Sequence, residues 1–214
     1  MKRHSGGRKM SLLDEYQERI DLLNRYIRNP IRLVADFMKM TDLVTQDLGK
    51  CVESSNNHLG DNTWQRLVVR AAFSTIDSIC FKQNELVYCL SKFIKHNFAE
   101  GDEAFLVGYR KEASGKVARC YPGLGKYVKR TLKISSNFFT SSPVDFSNAG
   151  WQNFLDSIEI RDKITHPKNP NDLMISQQEY DLVADAYTWF ASRVHEITTA
   201  SWVIANAKLK HTKK

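Results

Sequence analysis

The sequence predicts an all-α fold, on three observations. Apolar residues recur at steps of three and four through most of the chain, the spacing that lines one face of a helix. No stretch alternates apolar and polar residues over several positions between hairpin turns. The longest uninterrupted apolar runs are a few residues, far short of the roughly 18 needed to span a bilayer, so a soluble helical protein with no membrane partner is expected. With 42% hydrophobic residues in 214 positions, one domain with its own core is the expectation, placed at 11–207 between basic tails at 1–10 and 208–214.

The elements follow in order. Leu13, Tyr16, Ile20, Leu23 and Ile27 form one helical stripe, and Pro30 predicts a break near Asn29. A second stripe runs through Leu33, Phe37, Met40, Val44 and Leu48. Neither lasts long enough for a coiled-coil seam, so both read as core-facing. Glu53 to Asn62 is a loop by composition, which makes 11–60 an N-terminal helical part. Trp64 to about His96 has the broadest apolar face, with Asp61 or Asn62 as its N-cap, and reads as the central helix. Asp77 falls beside that face, where it either orients a basic partner such as Arg161 or borders solvent.

Glycines at 101, 108, 115, 123 and 125 predict loops and short elements within 99–150, until a helix begins after Pro122. On that helix Lys126, Lys129, Arg130 and Lys133 share one face, opposite Leu124, Val128, Leu132 and Phe139. The net charge of +7 is uneven: Arg110 to Lys133 holds eight basic residues against Glu112 alone, and the two ends hold four each. Positive charge gathered in one segment and two ends suits a polyanion such as RNA, with Tyr121, Tyr127 or Phe138 as stacking surfaces. A solvated helix face is the plainer alternative.

Met1 to Met10 has basic residues but no apolar stretch behind them, unlike a secretory signal. Cys51, Cys80, Cys89 and Cys120 show no CxxC pairing. Reduced thiols in a cytoplasmic protein are expected, with no metal site and no cofactor. Gly-rich phosphate loops, nucleophile elbows and paired metal-binding carboxylates are absent from the sequence.

From Trp151 the steps to Phe154, Leu155 and Ile158 predict a helix that carries Arg161 at the border of the core. Pro167 disfavours the α conformation at the residue before it, so His166 is the last helical residue or the first beyond the helix. Asp162 and His166 stand four apart, a spacing that lets the carboxylate hold the imidazole in one tautomer. An Arg, an Asp and a His within two turns admit two readings: a phosphate-binding acid–base site, or a helix end whose basic residues complement the dipole. Ser176 and Glu179 form a capping box that opens a long final helix through Tyr180, Val183, Tyr187, Phe190, Val194, Ile197 and Trp202. The short connection before it makes this helix the antiparallel neighbour of the one carrying Arg161.

Trp151 to Phe190, WQNFLDSIEIRDKITHPKNPNDLMISQQEYDLVADAYTWF, resembles the HEPN superfamily of all-helical proteins, whose signature is an Arg, four to six residues, then a His. Here these are Arg161 and His166, with Asp162 directly after the arginine and His-Pro-Lys leading into the next helix. The resemblance reaches back more loosely to Ala71–Ile94. It implies a HEPN-type bundle, extended by 11–60 and interrupted by the basic 99–150 insertion, and a metal-independent endoribonuclease whose active site forms where two protomers pair. In one subset of toxins a Tyr two residues after the His is modified by a partner nucleotidyltransferase; this chain has Lys168 there.

The chemistry expected of such a site is transesterification of RNA. His166 acts as general base or acid and Arg161 neutralises the phosphate. Asp162 and Asp77 support them, and Lys163 and Lys168 contact phosphate. The expected partners are tRNA or mRNA, a second copy of the chain, and a cognate antitoxin or regulatory protein. The competing expectation is a non-catalytic helical module that dimerises and binds RNA or protein.

Overall fold

Ser11 opens the first helix, α1 (Leu12–Tyr26), through a reciprocal box: the Asp14 N–H donates to Ser11 Oγ (3.2 Å) and the Ser11 N–H donates to Asp14 Oδ2 (3.1 Å). The break expected at Pro30 is a new start, with Asn29 Oδ1 accepting from the Arg32 N–H (3.1 Å) and Pro30 as the first residue of α2 (Pro30–Asn56). Asp61 caps α3 (Asn62–Phe93) by accepting from the Thr63 N–H at 2.8 Å. Then come α4 (Glu100–Leu106), the strands β1 (Tyr109–Lys111) and β2 (Val117–Arg119), α5 (Leu124–Phe139), α6 (Ala149–Thr165), a 3-10 turn at Pro170–Leu173, and α7 (Gln177–Thr212). This computed structural model describes residues 11–27, 29–58, 61–120, 122–140 and 142–212, without the side chains of Tyr26 and 208–212. The tail at 1–10, Tyr121 and the cationic side chains of Lys208, Lys210, Lys213 and Lys214 lie outside that description.

Helix accounts for about 77% of the described residues and strand for 3%, so the fold is all-α. No helix among the described residues is long and apolar enough to cross a membrane. Every other helix packs against α3, whose Phe73, Ile76, Leu86, Val87 and Leu90 are almost fully buried. Each such side chain contributes about 2 kcal/mol by leaving water. α6 and α7 run antiparallel, as the ring contact of Trp151 with Trp189 at one end and the Lys163–Glu179 ion pair at the other require. The Ser176–Glu179 capping box is present, with the Glu179 N–H on Ser176 Oγ at 3.2 Å.

Four expectations need correction. The loop expected from Glu53 begins only after Asn56, because α2 runs on through polar residues that face solvent or, like Ser55, tuck in. The irregular 99–150 segment contains a hairpin in which Tyr109 pairs with Arg119 and Lys111 with Val117; three-residue strands are too short to show a period of two. Leu13, Trp202 and, on the apolar face expected from Trp64 onward, Leu67 are exposed rather than in the core. Along α7 the buried line passes through Ser201 and Ala205 instead of Trp202, and the helix continues to Thr212, past the tail boundary expected at 208.

Candidate functional site

The end of α6 is assembled by four local devices. Asn148 Oδ1 accepts the Trp151 N–H (3.0 Å) and starts the helix. Trp151, Phe154, Ser157, Ile160 and Ile164 form its buried line, while Leu155 and Ile158 lie at the border against α5. Arg161 is therefore half-exposed, and its Nη1 donates to Asp162 Oδ1 at 2.7 Å. At His166 the backbone leaves the helix (ψ 59°), its N–H still bonded to the Asp162 carbonyl at 2.9 Å.

That exit corrects one expectation. Asp162 pairs with Arg161 and not with His166, because the C-cap geometry swings the histidine off the face it would share with a residue four back. His166 is exposed, and among the described residues its imidazole makes no hydrogen bond or ion pair. Lys163 is also otherwise occupied: its Nζ donates to Glu179 and to the Met174 carbonyl (3.2 Å), fastening α6 to the start of α7. Burial pushes the Glu179 carboxyl up, but hydrogen bonds from Lys163 and Ser176 outweigh it and leave the group below its ordinary value. Lys168 is exposed with its side chain unpaired among the described residues, and its N–H donates to Asp172 Oδ2 at 2.7 Å.

The basic face of α5 is less uniform than its spacing. Arg130 is pinned, with Nη2 2.8 Å from both Asp102 Oδ1 and the Gly101 carbonyl and its guanidinium 4.5 Å from the Phe105 ring centre. Lys129 lies over Phe146 and Trp151. Lys126 and Lys133 are exposed and make no ion pair among the described residues. The expected stacking surfaces are committed to packing: Phe138 sits against His96, Phe98 and Phe139, and Tyr127 packs on Phe105 and bonds Asn84, its phenol pushed up by burial.

What the structure does bring together is a cleft of about 820 Å³ between α1, α3, the hairpin, the start of α5 and α6. Arg161 and Asp77 both line it, and Asp77 borders solvent there, the plainer of the two expectations for that residue. Asp77 makes no ion pair or hydrogen bond among the described residues; burial raises its carboxyl above the ordinary range and Arg161 pulls the other way. Arg161 thus acts on Asp77 through its charge without pairing directly. His166 does not line the cleft.

Sequence reasoning missed Arg70, Arg19, Arg119 and Phe81, which line it too. Arg70 Nη2 donates to the Ile164 carbonyl (2.8 Å), satisfying one of the four carbonyls that the end of α6 leaves without a helical partner. The signal was available on α3, where Arg70, Phe73, Ser74, Asp77 and Phe81 fall at steps of three and four on one face.

One thiol, Cys120, lines the cleft, and burial raises it above its ordinary value while Arg130 and Arg110 pull the other way. Cys80 and Cys89 are buried, the former raised well above the ordinary range and the latter pushed up to about 12, both by burial. Among the described residues no group of three His, Cys, Asp or Glu side chains converges. Comparison of the chain with protein-family models, with curated proteins and with solved structures finds no match.

Proposed function

We propose that the protein is a metal-independent endoribonuclease of the HEPN type, acting on tRNA or mRNA in the cytoplasm as a homodimer within a toxin–antitoxin or phage-defence pair. The observation that carries this reading is an exposed imidazole, His166, without a partner among the described residues, at the exit of a helix whose preceding turn places Arg161 in a cationic cleft. The resembling segment, Trp151 to Phe190, coincides with α6, the connecting turn and the first part of α7, and its looser extension with α3.

In this reading the RNA 2′-hydroxyl attacks the adjacent phosphorus. The bond from phosphorus to the 5′-oxygen breaks, leaving a 2′,3′-cyclic phosphate and a 5′-hydroxyl. One imidazole takes the 2′ proton, a second protonates the departing 5′-oxygen, and Arg161 stabilises the charge building on the phosphoryl oxygens. A single chain offers one such imidazole at this helix end. Two α6 ends brought together supply both, with Asp162 and Asp77 biasing Arg161.

Labelled tRNA incubated with purified protein in excess EDTA tests this. We expect cleavage with cyclic-phosphate ends, lowered about 10²–10⁴-fold by His166→Ala and lost likewise in Arg161→Ala. If folded wild-type protein binds the RNA and leaves it intact, the second reading replaces the first: a helical module that dimerises and binds RNA or protein. One observation favours that reading, since Arg161 is paired with Asp162 and His166 lies outside the cleft that Arg161 lines.

A further inference from the structure

The turn that carries His166 has little burial to hold it. Thr165 to Asn171 are all exposed, and such a run ordinarily belongs to the least stable part of a fold. Here polar side chains of α3 hold both of its ends. Arg70 Nη2 donates to the Ile164 carbonyl at 2.8 Å, two residues before the histidine. Arg66 Nη1 donates to the Leu173 carbonyl at 2.8 Å, seven residues after it, and its Nη2 donates to Thr63 Oγ1 at 3.2 Å. One turn earlier on α3, Asn62 Oδ1 accepts the Ile175 N–H. Asn62, Arg66 and Arg70 stand at steps of four, so one stripe of α3 reaches all three points. Between the tethers the chain stiffens itself. Asp172 Oδ2 accepts the N–H groups of Lys168 (2.7 Å) and Asn169 (3.1 Å), and Pro167 and Pro170 each fix a φ angle. Neither arginine makes an ion pair among the described residues. Each sets its planar, pre-organised fork on a backbone carbonyl, a directional bond that fixes where the chain runs.

We infer that Arg66 and Arg70 are positioning residues for His166: they fasten the two ends of its turn to α3, so that the imidazole stands in one place relative to Arg161. For its effect on rate this rests on the ribonuclease reading; for its effect on order it rests on the contacts alone. A displacement of about 1 Å at a reacting group costs about 10²-fold in rate, so tethers that never touch RNA still govern turnover.

The test uses the full chain carrying Arg66→Gln, Arg70→Gln or both. Circular dichroism and the melting midpoint establish folding, and either single variant carries the test if the other does not fold. Backbone ¹⁵N relaxation gives order parameters for Thr165, His166, Lys168 and Asn169, and cleavage of labelled tRNA in excess EDTA gives kcat and KM. We expect order parameters near about 0.85 in the wild type and below about 0.6 in the variants, with the middle of α3 unchanged. In step with that, kcat falls by about tenfold or more, while KM stays within about twofold because binding is not what the tethers supply. A phosphate contact would behave otherwise, raising KM and lowering the slope of log affinity against log salt by about 0.7. The inference is overturned if the folded variants keep the order of the turn, if order falls while kcat stays within about twofold, or if KM and the salt slope change with kcat intact. A staple of the fold alone gives the second of these results, with a lowered melting midpoint. If the wild-type chain leaves RNA whole, the ribonuclease reading fails by itself, and the order parameters decide whether the two arginines hold His166.

Discussion

Partial desolvation where its side faces the cleft raises the Asp77 carboxyl above its ordinary value although the residue is exposed, and Arg161 offsets only part of that. The folded chain therefore holds this proton more tightly than the unfolded chain does. Ionisation costs stability once the pH exceeds the folded value, and the cost disappears as pH falls below the unfolded one. Asp77→Asn should accordingly raise the melting midpoint at pH 7, with the gain vanishing in acid; a midpoint that falls at neutral pH would mean that the carboxylate is held by Arg161 after all. His166 is the opposite case. Exposed and without a hydrogen bond or ion pair among the described residues, it has little to lose on truncation. His166→Ala should leave stability within about 0.5 kcal/mol in urea denaturation, so any loss of RNA cleavage in that variant belongs to chemistry and not to folding.

At the scale of elements, the packing of α6 on α7 is tightest at Gly150, where an added Cβ would stand 2.2 Å from Trp189 Cδ1. Alanine is the better helix former by about 1 kcal/mol, but the indole is wedged against Trp151, Phe154 and Phe146 and cannot step aside. Overpacking costs about 1–3 kcal/mol and wins. Gly150→Ala should lower the urea midpoint, and an unchanged or raised midpoint would show that Trp189 has room to turn. In the sequence Gly150 closes the segment 99–150 expected to hold loops and short elements, since close approach between helices leaves no local trace. The stripes of α2 and α3, the Asp61 cap and the Ser176–Glu179 box were legible because each is a short-range device. The hairpin was not legible: Gly108 and Gly115 looked like breaks and are instead its positive-φ positions, at 87° and 81°. Nor did α6 announce its buried face in full, because Ser157 completes the line as a buried hydroxyl bonded to the Phe154 carbonyl at 2.7 Å. The Arg161–His166 spacing was visible, whereas the cleft beside it joins α1, α3, the hairpin, α5 and α6 and exists only once they pack.

For the whole molecule, the concentration of basic residues between Arg110 and Lys133 is partly answered by carboxylates from elsewhere in the fold. Arg119 pairs with Glu15 of α1, Lys111 with Glu100 and Arg130 with Asp102 of α4, so part of the local excess holds elements together. Lys126 and Lys133 are exposed and make no ion pair among the described residues. The two groups should separate in experiment. Each lysine that neutralises a phosphate of a single strand contributes about 0.7 to the slope of log affinity against log salt. Replacing Lys126 and Lys133 together with Ala should reduce that slope by about 1.4 and leave the melting midpoint unchanged. Arg130→Ala should do the reverse: its carboxylate pair and its stacking on Phe105 are lost, at about 1 kcal/mol of stability, with little change in slope. Fluorescence anisotropy with a labelled oligoribonucleotide across a salt series, read beside urea denaturation of the same variants, measures both. A slope that drops for Arg130→Ala and stays for the lysine pair would mean that RNA pulls Arg130 away from Asp102, and that the open face of α5 is a solvated helix surface.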